Sequence, residues 1–562
     1  MKWAALVWLV AASLVRERAP VVRTRGGLVR GSLSMDHSHY RYFGVPYATV
    51  GEGNRFQAPL PAPQWDGILD VVDEHVRCPQ RMVGTLVTGA ADCLKLHVYV
   101  PARRARPLPV MVYIHGGCFF EGTGANFLYG GDYFVDHGVI LVAVNYRLNV
   151  EGFLCLGIEE APGNAGLKDQ IAALKWIKEN IAAFGGDPDN VTLFGESAGA
   201  VSTSMLILSP AAHGLFHRTI MQSGSSLAPW ALQHDPIKTA SDLVKQFGHD
   251  TKDPKEIYSI LKTKSINELI GAIKHTPHKT YITSDMLFVP CVERAIPGVE
   301  PVLTRHPVDV IESGNYTKVP MIIGFNDREG IYFVAQDYGL SVYEVDPATT
   351  LQPDLEFPSA AERNATAASI GAQYFGNGSL ELTDSLVNLY SDVHFKFPAL
   401  IESQLYAATS DQPIYYYLFQ YSGLLNFPKL ISLGPMAGGA SHADELFYMF
   451  RAHSIPLPQR TLERQMTRRM LTLWTNFAKY SDPTPAKTSV VPGRWSAGSG
   501  VPPRALVLSS EPRAAPLWDE RAPALRLWND TYARYRRRRY GVWSKLILIS
   551  DTKTGVLRSS IL

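Results

Sequence analysis

The sequence predicts an α/β fold in which a central, mostly parallel sheet is flanked by helices. Apolar, strand-like runs alternate with segments of helical periodicity through the first half of the chain, which is the pattern of strand–helix–strand units. The composition, with 46% hydrophobic and 19% charged residues among 562, allows a large core. The chain has no internal repeat and no low-complexity linker. We therefore expect one domain over residues 14–530.

Hydrophobic periodicity predicts the individual elements. Strands are predicted at residues 94–100, 110–114, 139–145, 191–194, 217–222, 319–325, 415–421 and 505–508. Helices are predicted at residues 167–184, 198–208 and 463–480. In the first of these, Leu167, Ile171 and Leu174 recur at three- and four-residue steps. Residues 237–303 are helical but interrupted by Lys, His and Pro, as expected of a cap inserted over the sheet.

Both termini have a composition of their own. An apolar stretch behind Lys2, with small residues at 11–13, predicts a signal peptide over residues 1–13 and a secreted protein. The stretch is too short to span a bilayer, and its alternative is an apolar strand within the fold. Residues 531–562 form a basic tail that includes the run Arg534–Arg539. We interpret this run as a solvated tail, although binding to a membrane or polyanion, or cleavage by a proprotein convertase, would also fit.

Charge and cysteine usage narrow the class of protein. A net charge of +2 gives no field to attract nucleic acid or an anionic membrane. Of the five cysteines, Cys78 and Cys93 flank a short Gly/Thr-rich loop and are the predicted pair. The other three lie in or beside apolar runs, which predicts free buried thiols at Cys118, Cys155 and Cys291. Glycosylation sequons consistent with secretion begin at Asn190, Asn315, Asn364, Asn377 and Asn529.

A Gly-x-Ser-x-Gly motif centred on Ser197 provides the strongest functional signal. The bare pattern occurs by chance roughly once in five chains of this length. Here, however, an apolar strand precedes it and a helix follows it. A sharp strand-to-helix turn exposes the serine oxygen at the edge of the sheet, and Gly195 and Gly199 allow the close packing that such a turn requires. Ser197 is therefore the predicted nucleophile of an α/β-hydrolase fold.

A serine nucleophile requires a histidine base and a carboxylate that orients it, in the chain order Ser, Asp/Glu, His. His442 lies in a glycine-rich loop after a predicted strand, whereas His394 opens a helical stretch and His453 lies in a surface loop. We therefore select His442 as the base. Both Asp327 and Glu329 follow an apolar strand. Glu329 is preferred because it begins an apolar helical run, while Asp327 beside an arginine is more typical of a turn.

The negative oxygen formed when serine attacks an ester needs backbone N–H donors. The segment His115-Gly116-Gly117-Cys118 follows a predicted strand and is similar to the HGGG loop that provides such donors. The N–H group of Ala198 completes the set. The segment from His115 to Cys118 is informative because it lies upstream of the serine turn. A Gly-Gly pair alone would be uninformative.

These residues resemble the type-B carboxylesterase and cholinesterase family over residues 22–529, and most closely insect carboxylesterases, including antennal esterases. The motifs that agree in order are Phe43-Gly44-Val45-Pro46-Tyr47-Ala48, Asp92-Cys93-Leu94, the His115 loop, Asn145-Tyr146-Arg147, Gly166-Leu167-Lys168-Asp169-Gln170, residues 194–200 and Gln222-Ser223-Gly224. The resemblance implies Ser197, Glu329 and His442 as the triad, Gly117, Cys118 and Ala198 as oxyanion donors, Glu196 and Ser223 as supporting residues, Trp230 in the acyl pocket, and a Cys78–Cys93 disulfide.

The chain departs from the family pattern at several positions. Cys118 replaces the usual third glycine, so it narrows the pocket while keeping its N–H donor. The family's second and third disulfides find no partners here. No tryptophan lies between Cys78 and Cys93, which argues against recognition of choline esters by an aromatic face. Glu196 stands where juvenile-hormone esterases typically have glutamine.

We therefore predict a secreted carboxylesterase that hydrolyses small apolar esters through an acyl-enzyme, with no cofactor, no metal, no nucleic-acid partner and no stable membrane anchor. Clearance of odorant, pheromone or xenobiotic esters would fit, and juvenile-hormone ester hydrolysis is an alternative. The alternative outside enzymes is a catalytically idle adhesion or ligand-binding relative of the neuroligin type. That alternative is disfavoured because the triad residues are all present.

Overall fold

The computed structural model describes residues 18–536, except 82–85, 104–106, 274–287, 337–350, 352–353, 377–381, 433–437, 492, 499–501 and 519–521. The predicted signal peptide (residues 1–13), the sequon at Asn377 and the chain from residue 537, including the end of the basic run, lie outside the described residues. None of the described helices is long and apolar enough to cross a membrane.

A 13-stranded sheet forms the centre of the fold. Its strands are β1 (Arg18–Arg23), β2 (Leu28–Leu33), β3 (His39–Pro46), β4 (Ile68–Asp70), β5 (Lys95–Pro101), β6 (Leu108–Ile114), β7 (Ile140–Val144), β8 (Gly186–Glu196), β9 (Arg218–Gln222), β10 (Met321–Asn326), β11 (Ile414–Phe419), β12 (Arg504–Leu508) and β13 (Arg513–Pro516). Two short pairs lie outside it, Ala48–Thr49 with Leu60–Pro61 and Gln80–Arg81 with Val87–Thr88.

The strands are ordered β1-β2-β3-β5-β7-β6-β8-β9-β10-β11-β12-β13, and β4 pairs with β2. All neighbouring pairs from β7 across to β12 are parallel. The N-terminal strands and β13 add antiparallel edges. Every residue of β6 and β7 is buried, as parallel strands covered on both faces must be. The predicted fold class, a mostly parallel sheet flanked by helices, is confirmed.

Helices cover both faces of the sheet. They are α1 (Asn126–Tyr129), α2 (Asp132–Asp136), α3 (Asn149–Phe153), α4 (Ala165–Asn180), α5 (Ala198–Leu208), α6 (Pro236–Lys245), α7 (Pro254–Leu261), α8 (Ile266–Ala272), α9 (Pro307–Glu312), α10 (Gly330–Gln336), α11 (Ala360–Phe375), α12 (Leu382–Ser391), α13 (Phe397–Thr409), α14 (Phe427–Ile431), α15 (Thr461–Tyr480) and α16 (Pro523–Tyr535). A π-helical turn, Asp392–Lys396, joins α12 to α13.

Two hydrophobic clusters form the core, and different helices supply them. Helix α4 contributes Leu167 and Leu174 to the larger cluster. Helix α15 contributes Met470 and Trp474 to the cluster on the other face. The three- and four-residue spacing that predicted these helices therefore marks the side chains that face the sheet.

The structure corrects two predictions, one about the cysteines and one about where the C-terminal tail begins. Cys155 and Cys291, predicted to be free, form a disulfide across 136 residues of sequence. Local sequence could not reveal this bond because the fold, not chain proximity, brings the two segments together. Cys78 pairs with Cys93, and Cys118 is a free buried thiol. Helix α16 also continues past residue 530, where the tail was expected to begin, and its Tyr532 side chain is buried in the core.

Candidate active site

Ser197 occupies a strained turn between β8 and α5. Its backbone angles, φ 59° and ψ −125°, lie in a region that non-glycine residues rarely adopt. The two flanking glycines are required by packing: a Cβ on Gly195 would lie 2.4 Å from the carbonyl carbon of Gly199, and one on Gly199 would lie 2.0 Å from the Ile114 oxygen. The Ser197 N–H group donates to the Gln222 carbonyl at 2.8 Å, which ties the turn to β9.

Glu329 and His442 are brought together from segments 113 residues apart. Nδ1 of His442 lies 2.6 Å from Oε2 of Glu329, whose side chain is fully buried. The other Glu329 oxygen accepts hydrogen bonds from the Ser223 hydroxyl at 2.6 Å and the Asn326 N–H group at 2.7 Å. Because the carboxylate accepts the Nδ1 proton, the neutral imidazole is held in the tautomer whose Nε2 carries no proton.

The second nitrogen of His442 approaches a second carboxylate. Nε2 lies 3.1 Å from Oε1 of Glu196, and both side chains are buried. Burial lowers the pKa of His442, but the charges of Glu196 and Glu329 outweigh it and raise the pKa to about 9. Burial also raises the pKa of Glu196, as do the nearby charges of Glu445 and Glu329. In the described structure no hydrogen bond joins Ser197 to His442, and the imidazole contacts one carboxylate at each of its nitrogens.

A buried network behind Glu329 was not anticipated from the sequence. Glu445 accepts hydrogen bonds from the Asn326 side chain at 2.6 Å and the Gln222 side chain at 3.0 Å. Trp474 in turn donates to Gln222 at 3.0 Å. Burial, together with the charge of Glu329, raises the pKa of Glu445 to about 7. The available sequence signal was an acidic residue three positions after the histidine, but only the fold shows that it turns inward.

The loop after β6 lies directly against the serine turn. A Cβ on Gly116 would lie 2.9 Å from Cβ of Ser197 and 3.0 Å from Oε2 of Glu196. The next three residues have left-handed angles, with φ of 104° at Gly117, 51° at Cys118 and 67° at Phe119. Within the described residues no hydrogen bond uses the N–H groups of Gly117 or Cys118. These donors are therefore available beside the serine.

Ala198 is the third candidate donor. It is the first residue of α5, and the first N–H groups of a helix have no carbonyl partner within the helix. The positive end of the helix dipole adds to the attraction for a negative oxygen at this point.

Aromatic side chains enclose the histidine. The ring centroids of Phe395 and Phe333 lie 4.6 Å and 5.0 Å from that of His442. Trp230 packs 5.9 Å from Phe395 and donates its indole N–H to the backbone oxygen of His394 at 3.2 Å. Trp230 is thus one ring removed from the histidine, on an apolar side of the site.

The three residues that were considered for the triad but not selected have other contacts in the structure. Asp327 accepts the Ala440 N–H group at 2.7 Å, so it orders the loop that carries His442 without touching the imidazole. Burial lowers the pKa of His394 to about 3, which makes it a poor base at neutral pH. His453 lies 2.8 Å from Asp132 at the surface.

A serine turn at the carboxyl edge of a parallel sheet, with a histidine and its carboxylate arriving later in the chain, is the arrangement of an α/β-hydrolase. The model of the carboxylesterase family matches residues 18–516. A bile salt-activated lipase of Rattus norvegicus is 34% identical, with 84% of this chain and 79% of that protein aligned. Neuroligin-2 of Mus musculus is 31% identical over 84% of this chain and 61% of its own length.

A solved structure agrees over nearly the whole chain. The crystal structure of juvenile hormone esterase from Manduca sexta, with OTFP covalently attached, superposes with a TM-score of 0.81 at 30% identity, covering 91% of this chain and 99% of that one. The chain therefore belongs to the carboxylesterase family, and it is a carboxylic-ester hydrolase.

Proposed function

We propose that the enzyme hydrolyses small esters through an acyl-enzyme formed on Ser197. The contact of 2.6 Å between Glu329 and Nδ1 of His442 is the observation that carries this proposal, because it fixes the Nδ1 proton and assigns proton exchange to Nε2, which turns from Glu196 to the serine oxygen during the reaction. His442 accepts the serine proton as the oxygen attacks the ester carbonyl and then returns it to the departing alcohol. Water activated by the same histidine then releases the acid.

In this mechanism the N–H groups of Gly117, Cys118 and Ala198 stabilise the tetrahedral oxyanion. The unused N–H groups of Gly117 and Cys118 in a loop packed against Ser197, and the position of Ala198 at the start of α5, support the assignment. Ser223 orients Glu329, and Glu196 sets the protonation of the histidine. Trp230 forms part of an acyl pocket, in keeping with its place next to the rings around His442.

The substrate we favour is a largely apolar ester, as in clearance of odorant, pheromone or xenobiotic esters. Juvenile-hormone ester hydrolysis is the second candidate among enzymes, and the similarity to the Manduca sexta esterase supports it. A comparison of kcat/KM for juvenile hormone and for a series of acetate to octanoate esters would separate the two. A preference of about 100-fold or more for juvenile hormone would overturn the general ester assignment.

A catalytically idle adhesion protein is the candidate outside enzymes, because Neuroligin-2 has similar identity to this chain. Purified protein should turn over p-nitrophenyl acetate and should lose that activity after organophosphate treatment. Ser197→Ala should abolish turnover with a nearly unchanged melting temperature. Folded protein without turnover or organophosphate labelling would support the adhesion candidate.

Secretion is part of the proposal. Two disulfides among the described residues are typical of oxidising compartments. The sequon residues Asn315 and Asn364 are exposed, whereas Asn529 is buried in α16. Glycosidase treatment of protein from the medium of expressing cells should therefore reduce its mass, and Asn315→Gln with Asn364→Gln should remove most of that change.

A further inference from the structure

The loop against the serine turn carries a carboxylate, Glu121, to which the mechanism gives no role. The N–H groups of Phe120 and Glu121 both donate to the Gly117 oxygen at 3.0 Å, so the chain folds back over Gly117. A Cβ on Gly117 would lie 3.1 Å from Cγ of Glu121. The Glu121 side chain therefore starts above a residue whose N–H group is a proposed oxyanion donor.

The Glu121 carboxylate has no protein partner within the described part of the chain, either as an ion pair or as a hydrogen bond. Its surroundings raise its pKa to about 7 through burial alone, while the side chain stays partly accessible to water. An enclosed, unpaired carboxylate costs free energy in the empty protein. The structure leaves it free to accept a hydrogen bond from a group that enters with the substrate.

The charge of Glu121 acts on side chains of the loop that carries the proposed oxyanion donors. The thiol of Cys118 has its pKa raised by burial and then by the charges of Glu121 and Glu196. The pKa of the Tyr129 hydroxyl is raised by burial and by the charges of the same two carboxylates. Glu196 itself lies 3.1 Å from Nε2 of His442. Glu121 and Glu196 thus both act on Cys118 and Tyr129, which mark a polar region next to the β6 loop.

This polar region differs from the apolar side of the histidine. Phe333 and Phe395 approach the His442 ring, and Trp230 packs behind Phe395. Aromatic walls suit a hydrocarbon acyl chain. With the acyl chain on the aromatic side, the alcohol portion is the part of the ester that is left to the β6 loop, which carries the unpaired carboxylate.

We infer that Glu121 selects esters whose alcohol portion carries a hydrogen-bond donor, either a hydroxyl or a protonated amine. This inference rests on the proposed acyl-enzyme mechanism at Ser197. A donor in the alcohol supplies the partner that Glu121 lacks in the empty enzyme. An alcohol without a donor covers the carboxylate with hydrocarbon and leaves it unpaired. Hydrogen bonds to charged groups contribute enough to favour the donor ester about tenfold or more in kcat/KM.

Two pairs of butyrate esters test this selection because each pair forms the same acyl-enzyme. The first compares 4-hydroxybutyl butyrate with pentyl butyrate, and the second compares 2-(dimethylamino)ethyl butyrate with its shape analogue 3-methylbutyl butyrate. Wild-type enzyme should prefer the donor ester of at least one pair about tenfold. The two pairs distinguish a neutral donor from a charged one.

Glu121→Met keeps a side chain of similar length but removes the acceptor, so the ratio of kcat/KM within each pair should fall to near unity. Glu121→Gln, which keeps one acceptor oxygen, should retain part of the preference. Glu160→Met is the matched control, because Glu160 is an exposed surface residue. It should leave every ratio unchanged.

Equal ratios in wild type and Glu121→Met would overturn the role of Glu121, and so would a wild-type enzyme that shows no preference in either pair. If Glu121→Met fails to fold, which a melting curve would reveal, the ratios of Glu121→Gln take its place, and equal ratios in wild type and Glu121→Gln would overturn the role of Glu121. Wild-type protein that turns over none of these esters, nor p-nitrophenyl acetate, would overturn the proposed mechanism as well. Turnover without preference overturns Glu121 alone.

Discussion

Nε2 of His442 lies 3.1 Å from the carboxylate of Glu196, the residue directly before the serine. The imidazole is thereby in contact with two carboxylates, one at each nitrogen. Only the neutral imidazole accepts a proton from serine. The geometry therefore links the pH at which the enzyme works to the identity of residue 196.

Replacing Glu196 with Gln should lower the apparent pKa of His442 by about one to three units, because it removes one of the two charges that favour the protonated ring. In the wild type, kcat/KM should rise with pH through a midpoint near 9. The variant should reach its plateau at lower pH, as a pH–rate profile will show. A variant profile that coincides with the wild-type profile would exclude Glu196 from setting this pKa.

Glu445 should make the fold less stable as pH rises. Its pKa is raised from 4.5 to about 7 in the folded state, so the folded protein holds this proton more tightly than the unfolded chain does. The stability it contributes is present below pH 4.5 and is lost as pH rises through about 7. Glu445→Gln should reduce the difference in unfolding free energy between pH 5 and pH 8 by about 2 kcal/mol.

Urea denaturation at the two pH values measures that difference. Glu179→Gln, at an exposed position on α4, is the control and should follow the wild type. An equal pH dependence in wild type and Glu445→Gln would show that Glu445 is not protonated in the folded protein.

The side chain of Cys118 should limit the acyl group. It projects from the proposed oxyanion loop, at a position where the family resemblance leads one to expect glycine, and its thiol is buried. Cys118→Gly should raise the ratio of kcat/KM for p-nitrophenyl octanoate to that for p-nitrophenyl acetate by about tenfold. Cys118→Ala, which keeps Cβ but not the sulfur, should give an intermediate ratio. A ratio that is the same in all three proteins would place the limit elsewhere in the pocket.

The Cys155–Cys291 disulfide should contribute about 2–5 kcal/mol to stability, since it closes a segment of 136 residues. The double variant Cys155→Ser with Cys291→Ser should unfold at lower urea concentration. Wild-type protein denatured without reductant should expose one thiol, that of Cys118, to a thiol reagent. Three reactive thiols would mean that this disulfide is absent.

The sequence predicted most of the sheet because its strands are continuous apolar runs that neighbours bury on both faces. Residues 110–114, for example, lie within the observed β6 (Leu108–Ile114). Ser197 could be found because the turn that exposes it imposes glycines at fixed, nearby positions. The sequence alone did not settle the choice between Glu329 and Asp327, because both are carboxylates that follow the same strand. Only the fold shows which carboxylate contacts the imidazole.

Other features could not be predicted because they depend on distant segments. The disulfide partner of Cys155 and the inward direction of Glu445 are set by packing across the sheet. The unpaired state of Glu121 is a property of its neighbours in space. Motifs record short-range geometry, whereas these contacts depend on how the whole chain folds.

Backbone strain around the serine also has a consequence for engineering. Cys118, Phe119, Ser197, Ser223 and Ala443 all have positive φ, and all lie in the site or next to one of its residues. Each such residue costs about 1 kcal/mol that glycine would not. Heat-tolerant variants selected only for folding should therefore accumulate glycine at a position such as Ala443, whereas the buried ring of Phe119 stabilises the core by more than its strain costs. Such variants would be more thermostable, but their active sites would be less rigid and their turnover lower. Selection for thermal stability must therefore be paired with selection for turnover.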